Sequence, residues 1–365
     1  MAGSSFGTLF RITTWGESHG KGLGVTVDGC PAGIPLCEED IQVWLDRRKP
    51  GRSRYATKRS ESDEVEIWSG VFEGKTTGTP ISLIIRNADQ HSKDYSNLKD
   101  VYRPGHADLG FDAKYGIRDH RGGGRSSGRE TAARVAAGAI AAKVLEELGI
   151  TVSAYTASIG PVVCDPAAYD REYLKSSELC MPDAEAEKSA REYLEECMAQ
   201  GDSSGGTVHC RVRGVPAGIG EPVFDKLDAL LSQALFSIGA VKGVEIGDGL
   251  FAAMSTGSKN NDQYMESEEG PEKASNHAGG ILGGISDGST ILIRVSFKPT
   301  PSISQLQMAL GKDGKVHNLE ITGRHDPVIV PRAVVVVEAM TAAAVLDLLM
   351  RNMASRVEYL KKIYN

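Results

Sequence analysis

The residues best able to do chemistry sit in glycine-rich turns. His19 lies in Gly16-Glu17-Ser18-His19-Gly20, and His106 in Arg103-Pro104-Gly105-His106-Ala107-Asp108. His120 belongs to the run 119–130, which reads Asp-His-Arg-Gly-Gly-Gly-Arg-Ser-Ser-Gly-Arg-Glu. His277 precedes Gly279-Gly280, and His325 stands in Gly323-Arg324-His325-Asp326-Pro327. A histidine titrates near pH 6.5 and can give a proton to a leaving group at neutral pH. Glycine lets backbone come close to a ligand and permits positive φ. Together they suggest a site lined by main-chain amides, with at most two of these histidines as proton donors.

The run 119–130 adds arginine. Ser127-x-x-Glu130 fits a capping box, so a helix is expected to begin there and to present free N–H groups and its positive end. Arg121, Arg125, Arg129 and Arg134 supply forks suited to phosphate or carboxylate oxygens. Anion binding is the favoured reading. A solvated loop and an RGG-like contact to nucleic acid are the alternatives. A second basic run, 47–59, holds seven basic residues among thirteen and no acidic one. It reads either as a solvated loop or as a lid over a polyanionic substrate. There is no H-E-x-x-H and no carboxylate cluster at ligand spacing, so a metal is disfavoured. There is no G-x-x-x-x-G-K-[ST], and Gly20-x-Gly22-x-Gly24 is not G-x-G-x-x-G. These residues point to an enzyme that handles a small, multiply anionic substrate by His and Asp proton chemistry.

Such turns need elements to position them. β-type runs recur at 7–14, 23–27, 65–72, 81–86, 151–159, 207–212, 290–297 and 333–337. Helical stretches are expected at 38–48, 130–148, 222–238 and 339–353. The Ala-rich 130–148 stretch is apolar on most faces and belongs between layers. Strand pairs interleaved with helices suit α+β, in a sandwich around buried helices. The chain reads as one domain spanning 1–365, with peripheral insertions near 169–201 and 258–275. The first is expected as a charged surface helix over 182–201. The second is polar, acidic and expected as an exposed loop.

Composition narrows the field. The chain has 365 residues and 42 glycines, about 12% against a usual ~7%. The net charge is −7, but residues 1–130 hold 19 basic and 18 acidic residues, so the acidity lies in the remainder. That sign and the 6% aromatic content argue against a nucleic-acid partner. No stretch approaches about 18 uninterrupted apolar residues, and no signal peptide is evident. Six cysteines without a framework read as reduced thiols, so a cytoplasmic location is expected.

At these same residues the sequence resembles the chorismate synthase family. The matching segments are 13–20, 46–48 with Arg54-Tyr55, 103–108, 121–127, 241–247, 275–280, 298–303 and 323–327. They follow the family's order over residues 6–353. The resemblance implies anti-1,4-elimination of phosphate from 5-enolpyruvylshikimate-3-phosphate, giving chorismate, with reduced FMN and no net redox change. It implies a homotetramer of β-α-β sandwiches whose helices lie between antiparallel sheets. It makes His19 the acid for the departing phosphate, His106 a proton source near the reduced flavin, and Asp326 the helper that lets flavin N5 take the substrate proton. Arg48 and Arg54 match a basic lid that binds substrate or NADP, and Arg129 and Arg134 are substrate anchors. Arg125, Ser126, Ser127, Gly239, Ala240, Gly283, Lys298, Pro299, Thr300, Pro301, Ser302 and Arg324 match the flavin site. No added flavin-reducing domain is visible, so an external flavin reductase is expected as electron source. The cavity is expected to be strongly positive. The competing reading is another phosphate-handling enzyme with an Arg-rich anion site.

Overall fold

The strand Ile291–Phe297 shows how the sheets arise: its odd residues are buried and its even ones half-buried. Strict alternation of this kind gives a strand one face for a core and one for its surroundings. In the computed structural model, which describes residues 3–51, 53–55, 61–88, 98–267, 270–321 and 326–365, such strands build two five-stranded sheets. The first has the order Ser5–Phe6, Arg11–Gly16, Gly22–Asp28, Ile81–Arg86, Val65–Ile67. The second has the order Val162–Val163, Thr151–Ile159, Gly206–Arg213, Ile291–Phe297, Val241–Ile246. Every pairing in both sheets is antiparallel.

Four helices lie between the sheets. Thr131–Glu147 packs on the first sheet and Val330–Asn352 on the second. Glu38–Arg48 flanks both helices, and Leu227–Phe236 flanks the second. The two central helices touch each other at Gly138, where a Cβ would lie 2.3 Å from that of Ala339. A glycine is required there for the helices to approach this closely. Buried side chains of both sheets and all four helices form one continuous core. This is the α+β sandwich with buried helices that the sequence led us to expect.

Some local expectations are corrected. Residues 333–337 are not a strand but part of Val330–Asn352. Valine costs a helix roughly 0.6 kcal/mol relative to alanine, whereas burying its side chain contributes about 1.5–3 kcal/mol. Tertiary burial therefore wins. The run 65–72 divides into Val65–Ile67 and Val71–Phe72, and the helix expected from 222 begins at Leu227. Residues 258–275 are not merely a loop: they carry a short helix, Gly257–Asn260, and the hairpin Tyr264–Ser267 with Gly270–Lys273. The helix Ala184–Ala199 has a charged outer side, but Ala190, Leu194 and Glu187 are buried beneath it.

Val330–Asn352 is long and apolar enough to cross a bilayer by length and composition, yet it is mostly buried between the sheets. Two carboxylates inside it have protein partners. Asp347 Oδ1 accepts from the N–H groups of Thr8, Leu9 and Phe10 at 2.8, 2.7 and 3.0 Å. Glu338 accepts from Ala154 N–H at 2.7 Å and pairs with Arg47 at 2.6 Å.

Candidate active site

The site forms where both central helices begin. Ser127 caps a single 3-10 turn, Gly128–Glu130, by accepting from Arg129 N–H at 3.3 Å, and the α-helix follows from Thr131. The expected capping box is thus only half formed. Glu130 turns forward to Arg134 at 2.9 Å rather than back to the cap. Arg48, the last residue of Glu38–Arg48, ties the helix starts together. Its Nη1 donates to Thr131 Oγ1 at 3.3 Å, and its carbonyl accepts from Arg332 Nε at 3.2 Å. Two helix N-termini, each with a partial positive charge, therefore meet beside one residue.

His19 sits in the turn between the strands Arg11–Gly16 and Gly22–Asp28 of the first sheet and is 7% exposed. Its Nδ1 lies 3.0 Å from Ser18 Oγ, which reaches the Gly122 carbonyl at 3.4 Å. A Cβ on Gly122 would stand 2.3 Å from His19 Cε1, and Gly122 has φ +64°. Only glycine permits both that backbone and that ring. Arg125 fixes the same loop to the strand below, with Nη1 on the Gly16 carbonyl at 3.2 Å and Nη2 on Thr14 Oγ1 at 2.7 Å. Ser126 Oγ closes the turn on the Gly123 carbonyl at 2.8 Å.

His106 approaches from a second loop, braced by the two-pronged pair of Arg103 and Asp108 at 2.8 and 2.9 Å. Its Nδ1 is 3.0 Å from the Pro104 carbonyl and its Nε2 is 3.0 Å from Ser302 Oγ. A carbonyl can only accept, so Nδ1 carries the proton and Nε2 accepts from Ser302. Burial, then the Arg103 guanidinium, push this histidine down to about 4. Lys298 Nζ donates to the Gly105 carbonyl at 2.6 Å. Lys298 N–H donates in turn to Ala240, whose φ of +72° marks local strain in a residue other than glycine. Arg134 joins the same turn through Ser237 Oγ at 2.5 Å. Thus Arg134, Gly239, Ala240, Lys298, Pro299, Thr300, Pro301, Ser302 and His106 are brought together.

Other expectations divide. Asp326 pairs with Arg332 at 2.9 Å beside Arg48. Arg48 is 1% exposed and all its guanidinium nitrogens bond to protein: Asp63, Gly128 and Thr131. Arg129 is buried too, against Asp63 and Asn87. Arg54 points to Glu195 on the outer helix Ala184–Ala199, with its side chain 61% exposed. Gly283 is held at the tip of the Ile281–Leu282 and Ile285–Ser286 hairpin, where Gly284 accepts from Leu227 N–H. Arg324 and His325, with Arg52 and residues 56–59 of the basic run, lie outside the described residues.

The expected strongly positive cavity is also revised. Arg48 and Arg129 share Asp63, Arg134 has Glu130, Arg121 has Asp119, and Arg332 has Asp326. Arg125 and Lys298, by contrast, bond to neutral oxygens. Among the described residues, the cations of the site without an acidic partner are thus Arg125 and Lys298, which add to the helix ends. A cavity of about 450 Å³ bordered by Glu38, Glu39, Glu64, Glu66 and Arg86 lies elsewhere, and its carboxylates are wrong for a polyanion.

Asp63 was missed in the sequence. It is 0% exposed, and burial raises its carboxyl, but Arg48 and Arg129 override that and hold it below the usual range. Its signal was weak: an acidic Glu61-Ser62-Asp63 immediately after a basic run. Asn87 was missed as well. It donates to the Glu17 and Gly20 carbonyls and accepts from Arg129, joining the His19 turn to the helix start.

Residues 10–350 match the chorismate synthase family. The chain belongs to that family. It is 62% identical over its full length to the chorismate synthase of Lachnoclostridium phytofermentans, covering all of that protein. It is 57% identical to that of Agathobacter rectalis over 100% of this chain and 99% of the other. A solved structure described as chorismate synthase superposes with a TM-score of 0.76 at 34% identity, covering 98% of this chain and 97% of that one. Membership makes the chain a carbon–oxygen lyase acting on a phosphate ester, at the shikimate-pathway step that forms chorismate for aromatic amino acids. The reading as some other phosphate-handling enzyme gives way to it.

Proposed function

We propose that this site holds 5-enolpyruvylshikimate-3-phosphate against reduced FMN, with His19, His106 and Asp326 as the proton-handling groups. The observation that carries the reading is a chain of contacts to the start of Thr131–Glu147: the His19 turn reaches it through Asn87 and Arg129, and the His106–Ser302 loop through Lys298, Ala240 and the Ser237–Arg134 bond. The substrate carries two carboxylates and a phosphate. Helix ends, Arg125 and Lys298 match that charge, and Arg134 anchors it from the first helical turn.

The residues fit the flavin. Thr300 Oγ1 is buried and has no hydrogen-bond partner among the described residues, an unmet polar atom beside Lys298 and Ser302. Ser126, Ser127, Gly239, Ala240 and Lys298 to Ser302 would hold FMN, whose electron-rich ring supplies electronic help to C–O cleavage that no side chain offers. His19 gives its proton to the departing phosphate, and Ser18 keeps the ring oriented. His106 is neutral near pH 7 until an anion beside it raises its proton affinity. Asp326 assists loss of the proton from the reacting carbon. Arg48 acts mainly as a clamp, because Asp63 and backbone take its donors.

An external reductase supplying reduced FMN, a homotetramer, a single domain and a cytoplasmic location complete the proposal, on family likeness. The test is anaerobic phosphate release from enolpyruvylshikimate phosphate with photoreduced FMN. Release that is equally fast with oxidised FMN, or absent with reduced FMN, sinks it.

A further inference from the structure

The placement of Arg332 needs a physical reason. It stands in the first turn of Val330–Asn352, just after Pro331. A cation there faces the positive end of its own helix, the unfavourable end. Two bonds offset this. Nε donates to the Arg48 carbonyl, the negative end of Glu38–Arg48, at 3.2 Å. Nη1 donates to Asp326 Oδ2 at 2.9 Å. Both side chains stay partly open, at 22% and 16% exposure. Asp326 itself precedes the helix on a connecting segment, where Ser204 N–H holds the next residue's carbonyl at 2.8 Å. The backbone just after it is thus tied to the segment that leads into the strand Gly206–Arg213, and its carboxylate to the helix layer.

We infer that Arg332 is the positioning residue for Asp326, aiming its carboxylate into the site by bracing it against the end of Glu38–Arg48. A planar guanidinium with two divergent donors can do this, whereas a lysine ammonium supplies the charge without the fixed fork. The inference rests on the reading of Asp326 as a proton-handling group. A misplacement of about 1 Å in such a group costs on the order of 10²-fold in rate.

The experiment compares wild type, R332M, R332K, D326N and R332M/D326N in anaerobic turnover with reduced FMN, alongside a crystal structure of R332M. R332M is expected to lower kcat about 10²-fold, with KM for substrate and affinity for oxidised FMN within about threefold. R332K should recover part of kcat. In the D326N background, R332M should cost less than about threefold more, because there is no carboxylate left to aim. The R332M crystal structure should show the Asp326 carboxylate displaced. An equal R332M loss in both backgrounds, or an unmoved Asp326, overturns the inference. If R332M does not fold, R332K in both backgrounds makes the same comparison. No phosphate release by wild type would instead overturn the functional reading, and the crystal structure would still decide whether Arg332 places Asp326.

Discussion

His106 and His209 have the same titration behaviour and opposite chemical prospects. Burial, helped by nearby arginines, pushes each down to about 4. His106 lies on a loop, with Nε2 on the Ser302 hydroxyl. His209 lies in the strand Gly206–Arg213, on the second sheet, where Nε2 accepts from Arg294 Nε at 3.1 Å and Nδ1 meets Tyr155 OH at 3.3 Å. Arg294 is fixed in turn by Glu245 at 2.7 Å. A hydroxyl can donate or accept, so His106 can gain a proton and keep its partner. A guanidinium only donates. Protonating His209 would set two donors face to face. A depressed histidine is therefore not in itself a catalytic one, and the partner's ability to reverse decides.

The largest expected effect separates the two outright. H106A and H19A should each lower phosphate release by about 10²–10⁴-fold with the melting temperature nearly kept, while H209A stays within about threefold of wild type. A comparable loss in H209A would break the contrast. G122A comes next. Its Cβ would occupy the His19 ring position, so turnover should fall on the order of 10²-fold from misplacement, read as kcat with FMN affinity retained. S302A takes away the reversible partner. The loss should be about tenfold, the size of one net hydrogen bond, and a rate equal to wild type would remove Ser302 from the argument.

The smallest effect is one the two histidines share. A histidine whose folded value is about 4 binds fewer protons than its unfolded counterpart, near 6.5. The folded state is then favoured above pH 6.5 and loses that advantage as pH falls from 6.5 toward 4. H106Q and H209Q should each flatten the fall in the urea midpoint between pH 7 and pH 4.5. A slope as steep as wild type in either variant would show that its histidine is not held neutral.

The sequence alone determined a good deal. The glycine beside each key histidine, the Arg-rich turn ahead of Thr131 and the alternation of Ile291–Phe297 are local features, set by backbone freedom and by which side chains can share a face. The helix Glu38–Arg48 kept its expected ends because its acidic first turn and basic last turn suit the helix dipole. The order of the motifs along the chain likewise carries the family resemblance by itself. Tertiary structure decided which charges meet. Asp63 reaches Arg129 across 66 positions of sequence, and Arg332 reaches the Arg48 carbonyl across 284. It also turned residues 333–337 from a plausible strand into the middle of a buried helix. For Asp63 and for residues 333–337 the deciding free energy is desolvation, which depends on what the whole fold places around a group, whereas Arg332 is held by two hydrogen bonds that only the fold brings within reach.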